Sequence, residues 1–327
     1  MIKRPLPSGS GALLVLVVLI GINLRPFLTA IGPLAGEIDA QLALGMDRLA
    51  WVTLLPLLLI GVGVLLTPAL IDKTGPRPLL GAALLLLMLG SALRLDLASG
   101  TLLIASAALC GLGSALVQGT LPGLIKRAFA GKVPLVMGIF SACMMGGGAL
   151  GAVLTPRVAV HLDWSRALAL WSLPVLLALV WLGWRVRLPA AAPHSPVSGE
   201  QRLIALPRAW LLIACFGIIN SGYGIVVAWL APAYLALGWS PQQGGELVAW
   251  LALAQTVSGL GLPLLAARKL DRRPWMGLAI VMQVAGFGGL WLAPEVAPIL
   301  WCLLCGAGLG GSFSLIMVIA LDHLPDP

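Results

Sequence analysis

Residues 11–34 read GALLVLVVLIGINLRPFLTAIGPL and carry one charged side chain, Arg25. A helix that crosses the hydrocarbon core of a bilayer needs about 20 consecutive, mostly apolar residues. This stretch meets that length, and its apolar residues do not alternate with polar ones as barrel strands do. It therefore predicts a transmembrane helix with a guanidinium group inside it.

Nine similar runs follow along the chain of 327 residues. Hydrophobic residues make up 60% of the sequence and charged residues 10%, against roughly 45–50% and 25% in soluble domains. The composition excludes a soluble or disordered protein and predicts an all-α integral membrane protein. Its ten expected spans are residues 11–34, 51–71, 79–95, 102–125, 135–158, 167–184, 210–235, 247–266, 275–292 and 297–321.

The positive charges predict the orientation of these spans, because Lys and Arg concentrate in cytoplasmic loops. With the N-terminus inside, four basic residues fall outside: Arg48, Arg94, Arg157 and Arg166. Fifteen fall inside: Lys3, Arg4, Lys73, Arg77, Lys126, Arg127, Lys132, Arg185, Arg187, Arg202, Arg208, Arg268, Lys269, Arg272 and Arg273. This bias predicts a cytoplasmic N-terminus, and it explains the net charge of +8 without a nucleic-acid partner. We expect the protein in the cell (inner) membrane.

The chain also contains an internal repeat. Four pairs of matching features are separated by 195 to 197 residues: Asn23 and Asn220, Pro68 and Pro263, Arg77-Pro78 and Arg273-Pro274, Gly111-x-Gly113 and Gly306-x-Gly308. Parallel repeats of six spans are one way in which transporters are built. We expect a six-span half at 1–187, a cytoplasmic linker at 188–207 and a four-span half at 208–327, as in a twelve-span protein that lacks its last two spans.

The turn after the second span reads DKTGPR at residues 72–77. It resembles the cytoplasmic loop signature of the major facilitator superfamily, although Pro68 stands where that signature usually has Gly. The resemblance implies a gating loop in which Asp72, Gly75 and Arg77 form a charge latch that holds one conformational state. The alternative is a tight turn whose basic residues only set the topology.

Further stretches narrow the resemblance. They are NLRPFLT at 23–29, LPGLIKR at 121–127, residues 141–151, and WLAP at 229–232. Together they resemble the cyanate/nitroimidazole transporter (CynX/NimT-like) family of that superfamily. The resemblance implies a carrier that moves a small anion or a small heteroaromatic solute by alternating access. Gln118 stands where that family commonly has Asn, and Asn220 stands where it commonly has Gln.

Arg25 is the main candidate for the binding of that solute. Insertion scales assign about 2.5–3.5 kcal/mol to an Arg at the centre of a spanning helix, and no predicted span contains an Asp or Glu in its interior. On a continuous helix Arg25 would share a small, polar stripe with Gly21, Thr29, Gly32 and Gly36. An unpaired guanidinium in such a pathway suits a small delocalised anion. The alternative is a structural Arg that bonds carbonyls freed by Pro26 and Pro33.

Seven polar or aromatic residues join Arg25 and Thr29 as candidate substrate contacts: Asn23, Gln118, Ser141, Asn220, Tyr223, Trp229 and Gln255. Amide and hydroxyl side chains hydrogen-bond ligands, but within membranes they also tie helices together. Tyr223 and Trp229 have rings on which a flat solute can stack, and the same rings also serve as packing groups or interface anchors. For each residue, both roles stay open.

Several motifs point away from enzymatic chemistry. The pattern GxGxxG at 146–151 matches a dinucleotide fingerprint, but it lies inside a predicted span and therefore indicates close helix packing. Cys302 and Cys305 have a metal-like spacing without His or acidic neighbours. We expect no catalytic group, metal or cofactor; a coupling proton and the oligomeric state stay open. Two alternatives to a carrier are a shortened remnant that does not transport and, more remotely, an integral-membrane enzyme.

Overall fold

A computed structural model describes residues 10–186, apart from 96, 98, 130 and 131, together with residues 207–266 and 271–322. Within these ranges the chain forms helices and no strands, as predicted. The helices are α1 (Ser10–Asn23), α2 (Pro26–Thr29), α3 (Ala35–Leu42), α4 (Gly45–Thr74), α5 (Pro76–Ala92), α6 (Gly100–Ala128), α7 (Val133–Leu162), α8 (Trp164–Ala169), α9 (Ser172–Arg185), α10 (Pro207–Ala236), α11 (Pro241–Ala266), α12 (Arg273–Leu292) and α13 (Pro298–Asp322).

The apolar segments of the structure match the ten predicted spans in number and place. Among the described residues, nine helical segments are long and apolar enough to cross a membrane, and α5 is a shorter apolar helix at the place of the third span. Many large apolar side chains stay exposed on their outer faces, with Leu65 at 80% and Trp184 and Trp291 at 83%. Such exposure is costly in water and favourable in lipid. The chain is a multi-pass membrane protein.

The first span is not one continuous helix. Helix α1 ends at Asn23, α2 begins at Pro26, and a short 3-10 turn (Gly32–Leu34) leads into α3. Proline lacks an N–H and clashes with the preceding turn, and Pro26 and Pro33 lie at these two interruptions. The expectation of one small, polar stripe along this span is therefore wrong. Its glycines face different neighbours: a Cβ at Gly21 would approach α7, and one at Gly32 would approach α10.

The sixth span is also interrupted, since α8 ends at Ala169 and α9 begins at Ser172. The sequence predicted one helix over 167–184, without a break. Elsewhere, predicted and observed bounds differ by a few residues. Most observed helices extend beyond the predicted spans, because the apolar runs used for the prediction stop at polar residues that the helices still include. Helix α4, for example, runs from Gly45 to Thr74.

Two groups of helices surround the candidate site. In the first group, α4 and α5 pack on α6, while α1 packs on α7 and α9; in the second, α11 and α12 pack on α13. Helix α10 packs on α11 and α13 of the second group, and the two groups meet mainly where α7 contacts α11 and where α10 contacts α4 and the 3-10 turn. Nearly all of the expected linker, residues 188–206, lies outside the described residues. The division into two halves stays a prediction.

Candidate functional site

Arg25 lies at the break in the first span and precedes α2. Its backbone has φ −121° and ψ −26°, and its carbonyl accepts hydrogen bonds from the amides of Leu28 and Thr29 at 3.0 and 3.1 Å. The Thr29 hydroxyl donates its single proton to the Gly148 carbonyl at 2.8 Å and also lies 3.2 Å from the Arg25 carbonyl. These bonds fix the backbone on which the Arg25 side chain is mounted.

The Arg25 side chain extends toward α10, where its guanidinium carbon lies 4.1 Å from the centroid of the Tyr223 ring. A guanidinium over an aromatic face gains about 0.5–1 kcal/mol at exposed sites and about 2 kcal/mol or more when desolvated. This contact offsets part of the cost of placing Arg25 within the membrane.

Glycines on α7 leave the space that the broken span occupies. A Cβ at Gly148 would lie 3.2 Å from the Arg25 Cβ, and a Cβ at Gly151 would lie 2.7 Å from the Pro26 Cα. The contact at Gly151 is closer than real Cβ atoms approach and favours Gly, whereas the contact at Gly148 is tight and would require its neighbours to shift by a few tenths of an ångström. The second and third glycines of the GxGxxG pattern thus serve helix packing, as predicted, and they bring α7 close to Arg25, whereas a Cβ at Gly146 would meet no described atom within 4 Å.

A narrow cleft lies in front of Arg25. Its enclosed space is about 10 Å³, close to what one water molecule needs, and the wider total of about 230 Å³ includes space open to the outside. Helices α7, α10 and α11 supply apolar walls that include Met145, Val227 and Leu251. Four of the predicted contact residues line it together: Arg25, Thr29, Tyr223 and Gln255. A mostly apolar cavity with a few convergent polar groups is the usual form of a small-molecule site.

The cavity is positively charged. No Asp or Glu lines it, and among the described residues Arg25 has neither an ion pair nor a hydrogen bond from its guanidinium group. The five N–H donors of a guanidinium therefore have no acceptor in the described part of the chain. The buried Gln255 side chain also has an oxygen without a partner among those residues.

The other predicted contacts lie apart from this cavity. Asn23 is buried, and its amide nitrogen donates to the Leu19 carbonyl at 2.7 Å. Gln118 on α6 and Ser141 on α7 are half-buried and do not line the cavity. Asn220 lies on α10, but its side chain is outside the described part of the structure. Substrate contact by these residues stays a prediction.

Trp229 belongs to a second cavity, closer to the predicted outer side. Its walls come from α10 on one side and from α4 and the 3-10 turn on the other, and they include Gly32, Thr53 and Pro232. Trp229 itself is 41% exposed. Gly32 lines this second cavity, and a Cβ there would approach the carbonyl of Val227, a residue of the first cavity, to 3.3 Å. The 3-10 turn and α10 are therefore closely packed at this point.

The predicted gating loop forms a tight turn between α4 and α5. Gly75 has φ +82°, a conformation that L side chains rarely adopt, so this position favours Gly. Arg77 donates to the Gly183 carbonyl on α9 at 3.2 Å and thereby ties the predicted cytoplasmic ends of two helices together. A latch that includes Asp72 stays a prediction.

One charged residue near the site was missed by the sequence analysis. Arg94 was placed in an outer segment, but it is only 1% exposed and is the largest fully buried side chain in the described residues. It donates to Ser106 and to the carbonyl of Phe27, two residues after Arg25. In the sequence, the feature that could have indicated the burial of Arg94 is its position at the end of an apolar run.

Comparisons with known proteins agree with this architecture. Residues 12–327 match the family profile described as Major Facilitator Superfamily. The chain is 39% identical to the cyanate transport protein CynX of Escherichia coli (strain K12) over 317 residues, which cover 96% of this chain and 82% of that protein. It is 32% identical to the 2-nitroimidazole transporter of the same strain over 302 residues, or 91% of this chain and 76% of that protein.

Solved structures share the fold at low sequence identity. A D-xylose–proton symporter superposes with a TM-score of 0.74 at 16% identity, covering 98% of this chain and 84% of its own. The nucleoside transporter NupG superposes with a TM-score of 0.70 at 11% identity, covering 97% of this chain and 83% of its own.

Proposed function

The chain belongs to the Major Facilitator Superfamily and is a membrane transporter, and from this premise we propose that it carries a small, delocalised anion of the cyanate class. The anion binds in the cavity in front of Arg25, between helices of the two predicted halves, 1–187 and 208–327. Rocking of these halves exposes the cavity to alternate sides of an inner membrane, with the N-terminus in the cytoplasm.

The observation that carries the proposal is that the Arg25 guanidinium, apart from its contact with the Tyr223 ring, has no carboxylate or hydrogen-bond acceptor among the described residues. A charged Arg at a helix centre costs about 2.5–3.5 kcal/mol on insertion scales, and a cation–π contact returns about 2 kcal/mol when desolvated. The guanidinium donors still lack an acceptor among the described residues. An anion entering the cavity supplies that acceptor, and charge-assisted hydrogen bonds are stronger than neutral ones.

The rest of the cavity suits a small solute with little hydrogen-bonding capacity. Its walls are mainly apolar, and the Thr29 hydroxyl already donates to the Gly148 carbonyl. Gln255 is the remaining amide side chain at the cavity. Such a site favours the binding of a compact anion. Arg25 neutralises its charge, and the rest of the anion contacts the apolar walls. The relative named for cyanate transport, at 39% identity, supports the same solute class.

A small heteroaromatic solute is the second candidate, because Tyr223 presents a ring to the cavity. The 2-nitroimidazole transporter, at 32% identity, supports this alternative. The two candidates differ in charge: a neutral heterocycle depends on stacking at Tyr223, whereas cyanate depends on the positive charge of Arg25.

The test is flux of radiolabelled cyanate into proteoliposomes that contain the purified full chain, with 2-nitroimidazole as competitor and protein-free vesicles as control. The proposal expects saturable cyanate flux. Saturable flux of 2-nitroimidazole without cyanate flux would overturn the proposal for cyanate and indicate that the protein carries heteroaromatic solutes. Binding without flux would instead support a protein that binds the solute and does not transport it.

A further inference from the structure

We infer that Arg94 is a positioning residue for the solute site: its buried guanidinium fixes the break in the first span and thereby holds Arg25 in front of the cavity. The inference rests on the proposed function only for its effect on anion affinity. The contact itself does not depend on any ligand.

Arg94 connects three elements around the break. Its Nε donates to the Ser106 hydroxyl on α6 at 3.1 Å, and its Nη1 donates to the Phe27 carbonyl on α2 at 3.1 Å. Its own carbonyl accepts from the Ser165 hydroxyl on α8 at 2.6 Å. One residue therefore joins α2, α6 and α8.

The Phe27 carbonyl needs this donor because the helix is broken. In a continuous helix it would accept from the amide of Ile31, four residues on, but Ile31 donates to Leu28 at 3.3 Å instead. Phe27 is buried, and an unpaired buried carbonyl is costly. Arg94 supplies the missing hydrogen bond from another helix.

The planar fork of Arg is what allows both bonds at once. Nε and Nη1 diverge from one rigid group, so a single side chain reaches α2 and α6 together, whereas the ammonium of Lys is a compact point charge. The surroundings are tightly packed: a Cβ at Gly90 would lie 2.6 Å from the Cys110 sulfur and 2.8 Å from the Ser106 carbonyl. The third nitrogen, Nη2, is buried without a partner among the described residues, so the clamp between α2 and α6 rests on the two bonds made by Nε and Nη1.

The clamp acts on the site through a short path. Phe27 belongs to the four-residue helix that contains Thr29 and that follows Arg25 directly. When Phe27 is fixed, the carbonyl and side chain of Arg25 are fixed as well, because Leu28 and Thr29 both donate to that carbonyl. Loss of Arg94 frees this turn and spreads the orientations of the Arg25 guanidinium.

The first arm of the test needs no solute. Hydrogen exchange is measured on the purified full chain for Arg94→Lys, Arg94→Met, Ser106→Ala and a control, Arg48→Met, which removes the same charge from an exposed position. We expect exchange at residues 27–31 to rise about tenfold in both Arg94 variants and about threefold in Ser106→Ala, with no change in α11 or in the control. Unchanged exchange at 27–31, or a uniform rise along the chain, overturns the inference.

The second arm measures the affinity for cyanate. Arg94→Lys is expected to raise the Kd about tenfold, while Arg48→Met leaves it unchanged. Wild-type affinity in a folded Arg94→Lys variant overturns the inference. If the wild type binds no cyanate, the proposed function fails, and the exchange arm alone decides the role of Arg94. If both Arg94 variants fail to fold, Ser106→Ala decides it, since unchanged exchange at 27–31 in that variant contradicts the clamp.

Discussion

The guanidinium carbon of Arg25 lies 4.1 Å from the centroid of the Tyr223 ring. This contact joins the break in the first span to α10, between residues far apart in the sequence. It fixes one face of the guanidinium and leaves its N–H edge for the cavity. In the proposed solute site this contact would give the charged group a defined orientation, which selective binding of a small anion requires.

The Tyr223 ring, rather than its hydroxyl, is expected to matter for cyanate binding. Tyr223→Phe keeps the face that stacks with Arg25 and should bind cyanate nearly as well as the wild type. Tyr223→Leu removes a contact of about 0.5–2 kcal/mol, which predicts affinity lower by about 2- to 30-fold. Titration calorimetry on the purified variants measures both. A large loss in Tyr223→Phe would show that the hydroxyl contacts the solute and would contradict this account.

A negative charge at Gln255 should abolish anion binding. Gln255 lines the same cavity as Arg25, so Gln255→Glu adds a carboxylate that competes with the solute for the guanidinium and repels it. Gln255→Met keeps the site neutral and should weaken binding only modestly. Gln243→Glu makes the same chemical change at an exposed position near the start of α11 and serves as the control. Wild-type cyanate affinity in folded Gln255→Glu would remove Gln255 from the site.

The glycines of α7 offer a matched pair of substitutions. In Gly151→Ala the new methyl group would lie 2.7 Å from the Pro26 Cα and 2.8 Å from the Thr29 hydroxyl oxygen, so we expect a loss of about 1–3 kcal/mol in stability. A methyl group at Gly146 would meet no described atom within 4 Å, and Gly146→Ala should be neutral or slightly stabilising. Thermal unfolding in detergent compares the two. Equal melting temperatures would contradict the close packing described here.

The ion pair between Arg157 and Glu246 joins α7 to α11 at 2.7 Å, near the predicted outer surface. Its side chains are 48% and 49% exposed, and exposed pairs contribute about 0.2–1 kcal/mol. Glu246→Gln should therefore lower stability only slightly, and the exchange Arg157→Glu with Glu246→Arg should restore it. A double-mutant cycle at low and high salt measures this energy. A coupling that persists unchanged at high salt would mean that the pair is less exposed than described.

The spans could be predicted from the sequence because lipid imposes a length and an apolar composition that short windows reveal. Arg25 was recognised for the same reason, as a charge inside an apolar run. The break beside it was signalled by Pro26 and Pro33, yet prolines also occur inside helices that continue, as Pro56 and Pro68 do in α4. Whether a helix continues through a proline depends on whether neighbouring residues form hydrogen bonds with the backbone groups that the proline leaves unpaired.

Other parts of the site were beyond the reach of one sequence. Arg94 follows α5, and the sequence analysis assigned it to an outer segment because it comes at the end of a predicted span. Its burial depends on the packing of α2, α6 and α8 around it, which the sequence alone does not show. Tyr223 was one of several aromatic candidates on its span, and no spacing rule joins it to Arg25. Trp229 lies only six positions further along α10 but lines a different cavity.

The most direct test of the account is the binding of cyanate to the purified full chain, measured by titration calorimetry for the wild type, Arg25→Ala and Arg48→Ala. Hydrogen bonds to charged groups contribute about 1.5–3 kcal/mol, so Arg25→Ala should bind cyanate about 10- to 150-fold more weakly. Arg48→Ala should match the wild type. If folded Arg25→Ala binds cyanate as tightly as the wild type does, Arg25 is not the anion site.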